Sequence, residues 1–569
     1  MTDRAVFAAL VVVSLAAIAA PPGPQDAGVP APEQKKAPAP APADDELSPP
    51  PPGALTLKRL DFKGGSPIIP VKLMEGNSEV TLVGRGRLRF RLPGTPERLV
   101  EGPAGMAWTV RRKAGRPATV VARIQVAEIP FNDKVGLLTA QAEWKDRGLV
   151  LKERILGGVY GIAGKVIDNR RYVLVVDQPP APPESLAAQQ QEILTRFQVR
   201  TSLLEEVKAK GSVTMELVDG NGAVAATVQD TLTAEAPDGA PIEVKRVEYG
   251  VGYDFHGFED RAFRGAILLT ADRRGTLAVI NQIDLEDLLK GLVPSEIFAK
   301  AHAEALKAQA VTARGEVLAK IGLKHLADPY LLCTEQHCAV YRGVSGEAAT
   351  TNAAVEATRG EAAFDANDHL VDSVYSAVCG GHTEDNEIVW GGVPNPSLRG
   401  RPDVMPGKPV PASPKDLHAF LTTEAVHACR VSSFAQPTKY RWEKRFTAKD
   451  VDEKLAPWGV GHVMAMTVTE RGVSGRARLL QISGDEGATT LRGELTIRKA
   501  FGMLNSAMFE LKAEKDAKGR PTAWIFTGGG WGHGVGMCQT GAIGRAEAGQ
   551  TYRQILDHYF NGAQVAKIY

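Results

Sequence analysis

The spacing of apolar and polar residues changes several times along this chain, and each change predicts a different set of elements. From Ala54 to about Arg112 the stretches SEVTLVG, RLRFRL and AWTVRR alternate apolar with polar positions between Gly and Pro punctuation. Such alternation belongs to strands with one buried face, so a β-rich module is expected over 54–116. Over 117–178 the pattern is mixed. ATVVARIQVAEI reads as strand, DKVGLLTAQAEWKDRG as a helix with Val135, Leu138 and Ala142 near one face, and GKVIDNRRYVLVVD as strand again. A small α+β module is the expectation there. PPAPPE at 179–184 interrupts it, and a connecting helix and strands are expected over 179–243. Beyond, the chain is helix-rich to Gly322, mixed to Trp390, and strand-like again in VMAMTVTERG and RARLLQISG. The fold class is α+β: β-rich N-terminal modules followed by a mixed α+β domain over 244–569.

The most informative helical stretch runs from Asp284 to Gly322. Proline disfavours helix at the residue before it, so Pro294 predicts a first short helix that stops at Val293. Ser295 and Glu296 then stand at a break before a second helix from near Ala301. Leu306, Ala310, Ala313, Val317 and Ile321 follow the spacing of a buried stripe. Lys307 and Arg314 lie beside that stripe on one face. One carboxylate at a break and two cations on the next helix can converge on one cleft, and solvated surface charges are the alternative.

Charge excludes one class of partner. The chain has 67 Lys and Arg against 66 Asp and Glu, with no dense basic block, so nothing points to nucleic acid. MTDRAVFAALVVVSLAAIAA has a short polar start carrying Arg4, an apolar run and a small-residue end, the pattern of a secretory signal peptide over 1–20. The apolar run falls short of the roughly 20 residues that span a bilayer. Membrane contact is therefore expected only through an uncleaved signal anchor, and the expected location is the periplasm, cell envelope or extracellular space. Residues 21–53 hold 12 of the 37 prolines and almost no large apolar side chain, which predicts an extended tether.

Five cysteines in a chain of 569 residues do not make a disulfide scaffold. CTEQHCAVYRG brings Cys333, His337 and Cys338 together, and thiolates beside an imidazole suit zinc. Cys379 and His382 in YSAVCGGHTED could complete such a site. A Cys333–Cys338 disulfide is the competing reading, and the residues alone leave both open. A Cys/His nucleophile from Cys379 with His382 or Cys538 with His533 is the third; partners this close in sequence seldom form a dyad. GGGWGHGVGMCQTGA, Gly528–Ala542, holds seven glycines in fifteen residues. Its glycines at 530, 532, 534 and 536 never meet GxGxxG, and no Gly-Lys-Ser/Thr follows, so neither a dinucleotide fingerprint nor a phosphate loop is present. It reads as a strand end and loop against which a bulky ligand can lie, with Trp531 and His533 facing it.

The motifs DLEDLLKGLVPSE, EALKAQAVTAR, CTEQHCAVYRG, YSAVCGGHTEDNEIVWGG and GGGWGHGVGMCQTGAIGRAEAG stand in the order seen in the SpoIID family. The chain resembles that group, stage II sporulation protein D and the LytB amidase enhancers, over roughly Val244 to Tyr569, with a weaker echo in IPVKLMEGNSEVTLVG. The resemblance implies a SpoIID-like catalytic domain over 244–569 with a substrate groove. The implied activity is that of a peptidoglycan lytic transglycosylase. It cuts the β-1,4 bond between N-acetylmuramic acid and N-acetylglucosamine in glycan strands stripped of stem peptides, and leaves a 1,6-anhydro end. Glu296 matches the family's catalytic glutamate, and Lys307 and Arg314 match its helix cations. A single Glu suffices if the sugar's C6 hydroxyl replaces water, so burial is expected to raise the Glu296 pKa. Lys307 and Arg314 are expected to bind sugar groups or order nearby loops. Ser376, Gly380, Gly381, Trp531, His533 and Gln539 are expected to bind substrate, with the glycine loop opposite Glu296. Cys333 and Cys338 resemble a family zinc position, with His337 and His382 as further candidate ligands. Cys379 stands where the family commonly has a small residue. The alternative function is a non-catalytic peptidoglycan-binding enhancer of a cell-wall amidase. The 117–178 module is either a packing subdomain or a glycan-binding module resembling the SPOR type.

Overall fold

The alternating N-terminal stretches do form strands, and their apolar faces meet in one core. The computed structural model describes residues 60–569, apart from 95, 163–164, 198, 200, 251–255, 335–337, 339, 406, 410–412 and 424. The expected signal peptide and tether over 1–53, and His337, lie outside the described residues. With 25% of residues helical and 40% in strands, the fold is α+β.

Two antiparallel sheets carry the first core. One runs in the order Asp61–Lys63, Ser66–Asn77, Leu277–Asp284, Ala266–Ala271, Thr231–Glu235, Leu88–Leu92, Arg98–Gly102, with Leu332–Cys333 added in parallel beside Ser66–Asn77. The other runs Val224–Gln229, Ser212–Val218, Ala107–Arg116, Glu79–Gly84, Ile242–Tyr249, Gly257–Phe263. Inward residues such as Val71, Phe90, Val110, Met215 and Leu269 are buried together. The expected units 54–116 and 179–243 are therefore not separate bodies: strands from both share these sheets. Antiparallel partners are selected by the match of apolar faces in register, which neighbourhood along the chain does not reveal.

The 117–178 stretch is α+β as read, but it needs Ser202–Ala209 to complete its sheet. The strand order is Ser202–Ala209, Thr119–Pro130, Arg171–Val176, Leu151–Leu156, with helices Lys134–Asp146 and Ala187–Phe197 following the first and third strands of the unit, a split β-α-β arrangement. Asp133 caps the first helix by accepting from the Gly136 N–H at 2.7 Å. The buried face of that helix runs through Leu137 and Trp144, whereas the expected Val135, Leu138 and Ala142 are exposed.

Helices Leu285–Glu296, Ala303–Lys320, Gln539–Glu547 and Tyr552–Tyr559 pack into the first core, and the stripe from Leu306 to Ile321 is buried as its spacing predicts. Residues 441–529 build two further three-stranded sheets around a separate core that includes Val451, Leu480, Ile497, Phe501 and Phe526. Both expected strands, in VMAMTVTERG and RARLLQISG, pair there. Among the described residues no helix is long and apolar enough to cross a membrane.

Candidate active site

Helix Leu285–Glu296 begins at Asp284, whose side chain accepts from the Glu286 N–H at 2.9 Å. The break expected at Val293 comes later, after Glu296. Pro294 stays inside the last turn because the Ile297 N–H closes on the Val293 carbonyl at 3.1 Å and the Ser295 hydroxyl on the Gly291 carbonyl at 3.4 Å. Glu296 is thus the final helical residue. Burial, joined by the like charge of Glu316, pushes its carboxyl up to about 7, against the pull of the Val340 N–H, Lys320 and the Tyr375 hydroxyl. The Tyr375 hydroxyl lies beside both Glu296 and Glu316, and Glu316 pairs with Lys320 at 2.5 Å. Tyr375, Glu316 and Lys320 escaped the sequence reading, although the i, i+4 pair on the helix was a signal.

A raised carboxyl pKa has a consequence for stability. Glu296 contributes its full share below its ordinary value of 4.5 and loses it as pH rises through about 7, because the folded state must then hold a buried charge. The expected loss from this group is up to roughly 3 kcal/mol. Denaturant unfolding of wild type and Glu296→Gln across pH 4 to 8 checks it: the variant should lack this part of the slope, and identical slopes would remove Glu296 as its source.

Beside Glu296 lies an open cleft of about 120 Å³, lined by Phe298, Val378, Lys439, Gln539 and Thr540 among others. Among the described lining residues Glu296 is the sole carboxylate. Gln539 donates from Nε2 to the main-chain oxygen of Glu296 at 2.8 Å and to Gln309 Oε1 at 3.1 Å. Its amide nitrogen therefore fixes the helix end that carries the acid. Lys439 places Nζ 4.9 Å from the centre of the Trp531 ring, which is 40% exposed, and exposed Phe298 stacks on Phe434 at 5.1 Å.

The glycine run does not stand open to a ligand, contrary to its sequence reading. Trp531 exchanges both backbone hydrogen bonds with Val378, at 2.8 and 3.1 Å. A Cβ at Gly534 (φ 81°) would collide with the Arg476 guanidinium, and one at Gly536 (φ 69°) with the Val374 carbonyl. Glycine is required there because the loop lies on the chain's own backbone and on a buried arginine. His533 is likewise occupied. Its Nδ1 accepts from the Val535 N–H at 3.1 Å, its Nε2 donates to the Tyr375 carbonyl at 2.8 Å, and burial pushes the ring down to about 4. Ser376 is buried beneath Gly532, while Gly380 packs on Gly530 and Gly381 on the His427 ring. Of the loop's expected sugar contacts, Trp531 is the side chain that faces solvent.

The two helix cations are not brought together over the cleft. Lys307 pairs with Glu304 at 2.7 Å and lies 5.8 Å from the centre of the Tyr552 ring, at the start of helix Tyr552–Tyr559. Arg314 is fully buried and clamps Glu286 with two hydrogen bonds at 2.8 and 2.6 Å. Its third contact is the Glu361 carbonyl at 2.8 Å. The expectation of two cations in the groove is corrected accordingly: a guanidinium with no exposed surface and all its strong bonds inside the fold holds helices together.

Cys333 and Cys338 do meet, with their sulfurs 2.8 Å apart, and the third member of the cluster is His325. Its Nε2 is 3.2 Å from Cys338 Sγ and its Nδ1 3.1 Å from Asp328 Oδ2. The three donor atoms lie within 4.8 Å of one another. An imidazole oriented by a carboxylate on its far nitrogen is the usual form of a zinc-ligating histidine, so the donor chemistry of this S₂N set suits zinc. The 2.8 Å between the sulfurs is shorter than the roughly 3.8 Å edge of a zinc–thiolate tetrahedron and longer than a disulfide bond, and selects neither reading. His382 does not join it. Its Nδ1 bonds the Thr383 carbonyl at 2.7 Å, its carbonyl accepts from Arg476, and burial pushes its ring down to about 4. His325 was missed because it stands eight positions before Cys333, outside the short spacings that mark zinc motifs.

Residues 273–364 match the family model described as Stage II sporulation protein, SpoIID, and residues 384–536 match a domain of unknown function. Stage II sporulation protein D of Bacillus subtilis is 28% identical over 302 residues, which cover 51% of this chain and 76% of that protein. Residues 273–364 are thus similar to the SpoIID family. The amidase enhancer of Bacillus subtilis is 27% identical over 296 residues, 48% of this chain and 39% of the enhancer. An uncharacterized protein of Brachyspira hyodysenteriae is 29% identical over 317 residues, 55% of this chain and 74% of that one. The SpoIID match contains Glu296, Cys333 and Cys338, whereas Trp531 and Lys439 come from the second matched region. The cleft thus lies where the two matched segments meet.

Proposed function

We propose that this protein is an exported lytic transglycosylase that cuts the MurNAc–GlcNAc β-1,4 bond of peptidoglycan strands stripped of stem peptides. One observation carries the reading: Glu296, its carboxyl pushed up to about 7 by burial and by the neighbouring Glu316, is the carboxylate among the described residues that line an open cleft beside Phe298. Hydrolysis by water generally uses two carboxylates. Attack by the sugar's own C6 hydroxyl uses one group that first gives a proton and then takes one. Neutral Glu296 protonates the glycosidic oxygen as the C1–O bond breaks. The resulting carboxylate removes the C6 hydroxyl proton as that oxygen closes on C1, which restores the acid. A pKa near the working pH suits both halves of the cycle. Trp531 and Phe298 offer faces to sugar rings, and Lys439 suits the lactyl carboxylate of a muramyl residue.

Mass spectrometry of peptide-free glycan strands after incubation with the purified protein tests this: anhydro-ended fragments are expected, and intact strands would overturn it. Similarity to a relative named amidase enhancer favours a second reading, a peptidoglycan-binding partner that stimulates a cell-wall amidase. Stimulated amidase activity with no strand cleavage would select it.

In this reading Cys333, Cys338 and His325 hold a structural zinc ion that would tie the Leu332–Cys333 strand to the loop after helix Ala303–Lys320. Cys333→Ser is expected to lose one zinc per chain by elemental analysis and to lower the thermal midpoint. Unchanged zinc content would remove this site.

A further inference from the structure

Three of the five cysteines meet at a place that the glycan reading does not use. Cys379 follows the strand Tyr375–Ser376, Cys429 lies in the short helix Ala428–Val431, and Cys538 caps helix Gln539–Glu547. All three are fully buried, and buried Asp403 joins them, so that four donor atoms lie within 4.8 Å of one another. Cys379 Sγ is 3.7 Å from Cys429 Sγ and 3.2 Å from Asp403 Oδ2. With zinc–sulfur bonds of about 2.3 Å, a tetrahedron has sulfur–sulfur edges of about 3.8 Å, and the edges to oxygen are shorter. We propose that Cys379, Cys429, Cys538 and Asp403 bind a divalent ion of the zinc class, at a second metal site distinct from Cys333, Cys338 and His325.

The surroundings of the cluster are built for an ion and its thiolates. Asp403 Oδ1 accepts from Arg545 at 2.9 and 3.1 Å and from the Tyr559 hydroxyl at 2.9 Å, which leaves Oδ2 turned to the sulfurs. Cys538 Sγ accepts the N–H groups of Cys379 at 3.1 Å and Gly541 at 3.3 Å, at the start of a helix. N–H donors and a helix N-terminus stabilise thiolate over thiol. Outer bonds that orient a carboxylate and feed donors to a sulfur are what a ligand set needs to hold its geometry. Thiolate-rich donors select a soft or borderline ion and reject magnesium and calcium.

The position of the cluster says what the ion does. Cys379 and Cys538 flank the 384–536 segment on its two sides, and Cys429 comes from inside it. The ion therefore fastens both roots of that segment to the floor of the cleft. Cys538 adjoins Gln539, whose amide holds the main-chain oxygen of Glu296, so the fastening reaches the acid through one residue.

The test uses the full chain, purified under reducing conditions from zinc-supplemented cells and analysed for zinc per chain. Cys429→Ser and Asp403→Ala are each expected to lose one equivalent, and that equivalent is expected to survive in the Cys333→Ser/Cys338→Ser double variant. Variants of the cluster that keep the wild-type zinc content would overturn the proposal, as would a wild type without zinc. Where the variants do not fold, wild type is unfolded in denaturant with a chromogenic zinc chelator present, and the Cys333→Ser/Cys338→Ser double variant is treated likewise. Release of one equivalent of zinc from the double variant supports the site. Release of none, or a disulfide among Cys379, Cys429 and Cys538 in the wild type, overturns it.

Discussion

Glu296→Gln is expected to slow strand cleavage by about 10²–10⁴-fold, the share that a positioned general acid commonly contributes, while making the protein more stable above neutral pH. The two effects have one cause. The amide has nearly the shape of the carboxyl and can keep the Val340 N–H and the Tyr375 hydroxyl as partners. It has no proton to give to a leaving oxygen. Nor can it ionise in a site where burial and Glu316 push the native carboxyl up to about 7. Removing that ionisation is expected to recover roughly 3 kcal/mol at pH 8. Anhydro-fragment formation and denaturant unfolding at one pH, read on the same preparation, separate a lost proton from a lost fold. Cleavage at the wild-type rate by the variant would end the role assigned to Glu296. A variant that still stimulates an amidase, from a wild type that never cleaves, would instead favour the enhancer reading.

What the sequence disclosed and what it hid follow a physical division. The buried stripe from Leu306 to Ile321 was legible because helical periodicity reports which face leaves water. A helix end close to Glu296 was legible from Pro294, although the helix runs three residues past the expected stop at Val293, whereas the role given to Glu296 came from the resemblance of its motif. The partition of the N-terminal strands was not legible: alternation identifies a strand and its buried face, yet Ser212–Val218 pairs with Ala107–Arg116 across about a hundred residues. The glycine run shows a second limit. Seven glycines state that something approaches the backbone closely, and the sequence does not say whether it is a ligand or, as found, Arg476 and the Val374 carbonyl. Cys379 carried a signal of the same kind, a thiol of unassigned partners, and its meeting with Cys429, Cys538 and Asp403 needed the fold.

The second large effect is expected at Arg314, through the fold. Arg314→Met should destabilise the protein by about 3–5 kcal/mol, the cost of leaving one member of a buried ion pair without the other. Glu286 is fully buried; its carboxyl also accepts from the Tyr569 hydroxyl at 2.5 Å and the Gly360 N–H at 3.2 Å. Burial works to raise its pKa, but Arg314 above all holds it below the usual carboxylate range. With Arg314 gone, the carboxylate keeps two neutral donors and no cation, so it must protonate or draw in water. Adding Glu286→Gln removes the stranded charge and leaves an oxygen for Tyr569 and Gly360, so the double variant should regain most of the loss. Thermal unfolding of the single and double variants measures this, and a single variant as stable as wild type would contradict the buried pairing. Cleavage by the double variant then separates the two roles open to Arg314. Activity that returns with stability fits a residue that fastens helix Ala303–Lys320 to helix Leu285–Glu296, behind the acid. Stability that returns without activity would mean that the guanidinium reaches the glycan after all.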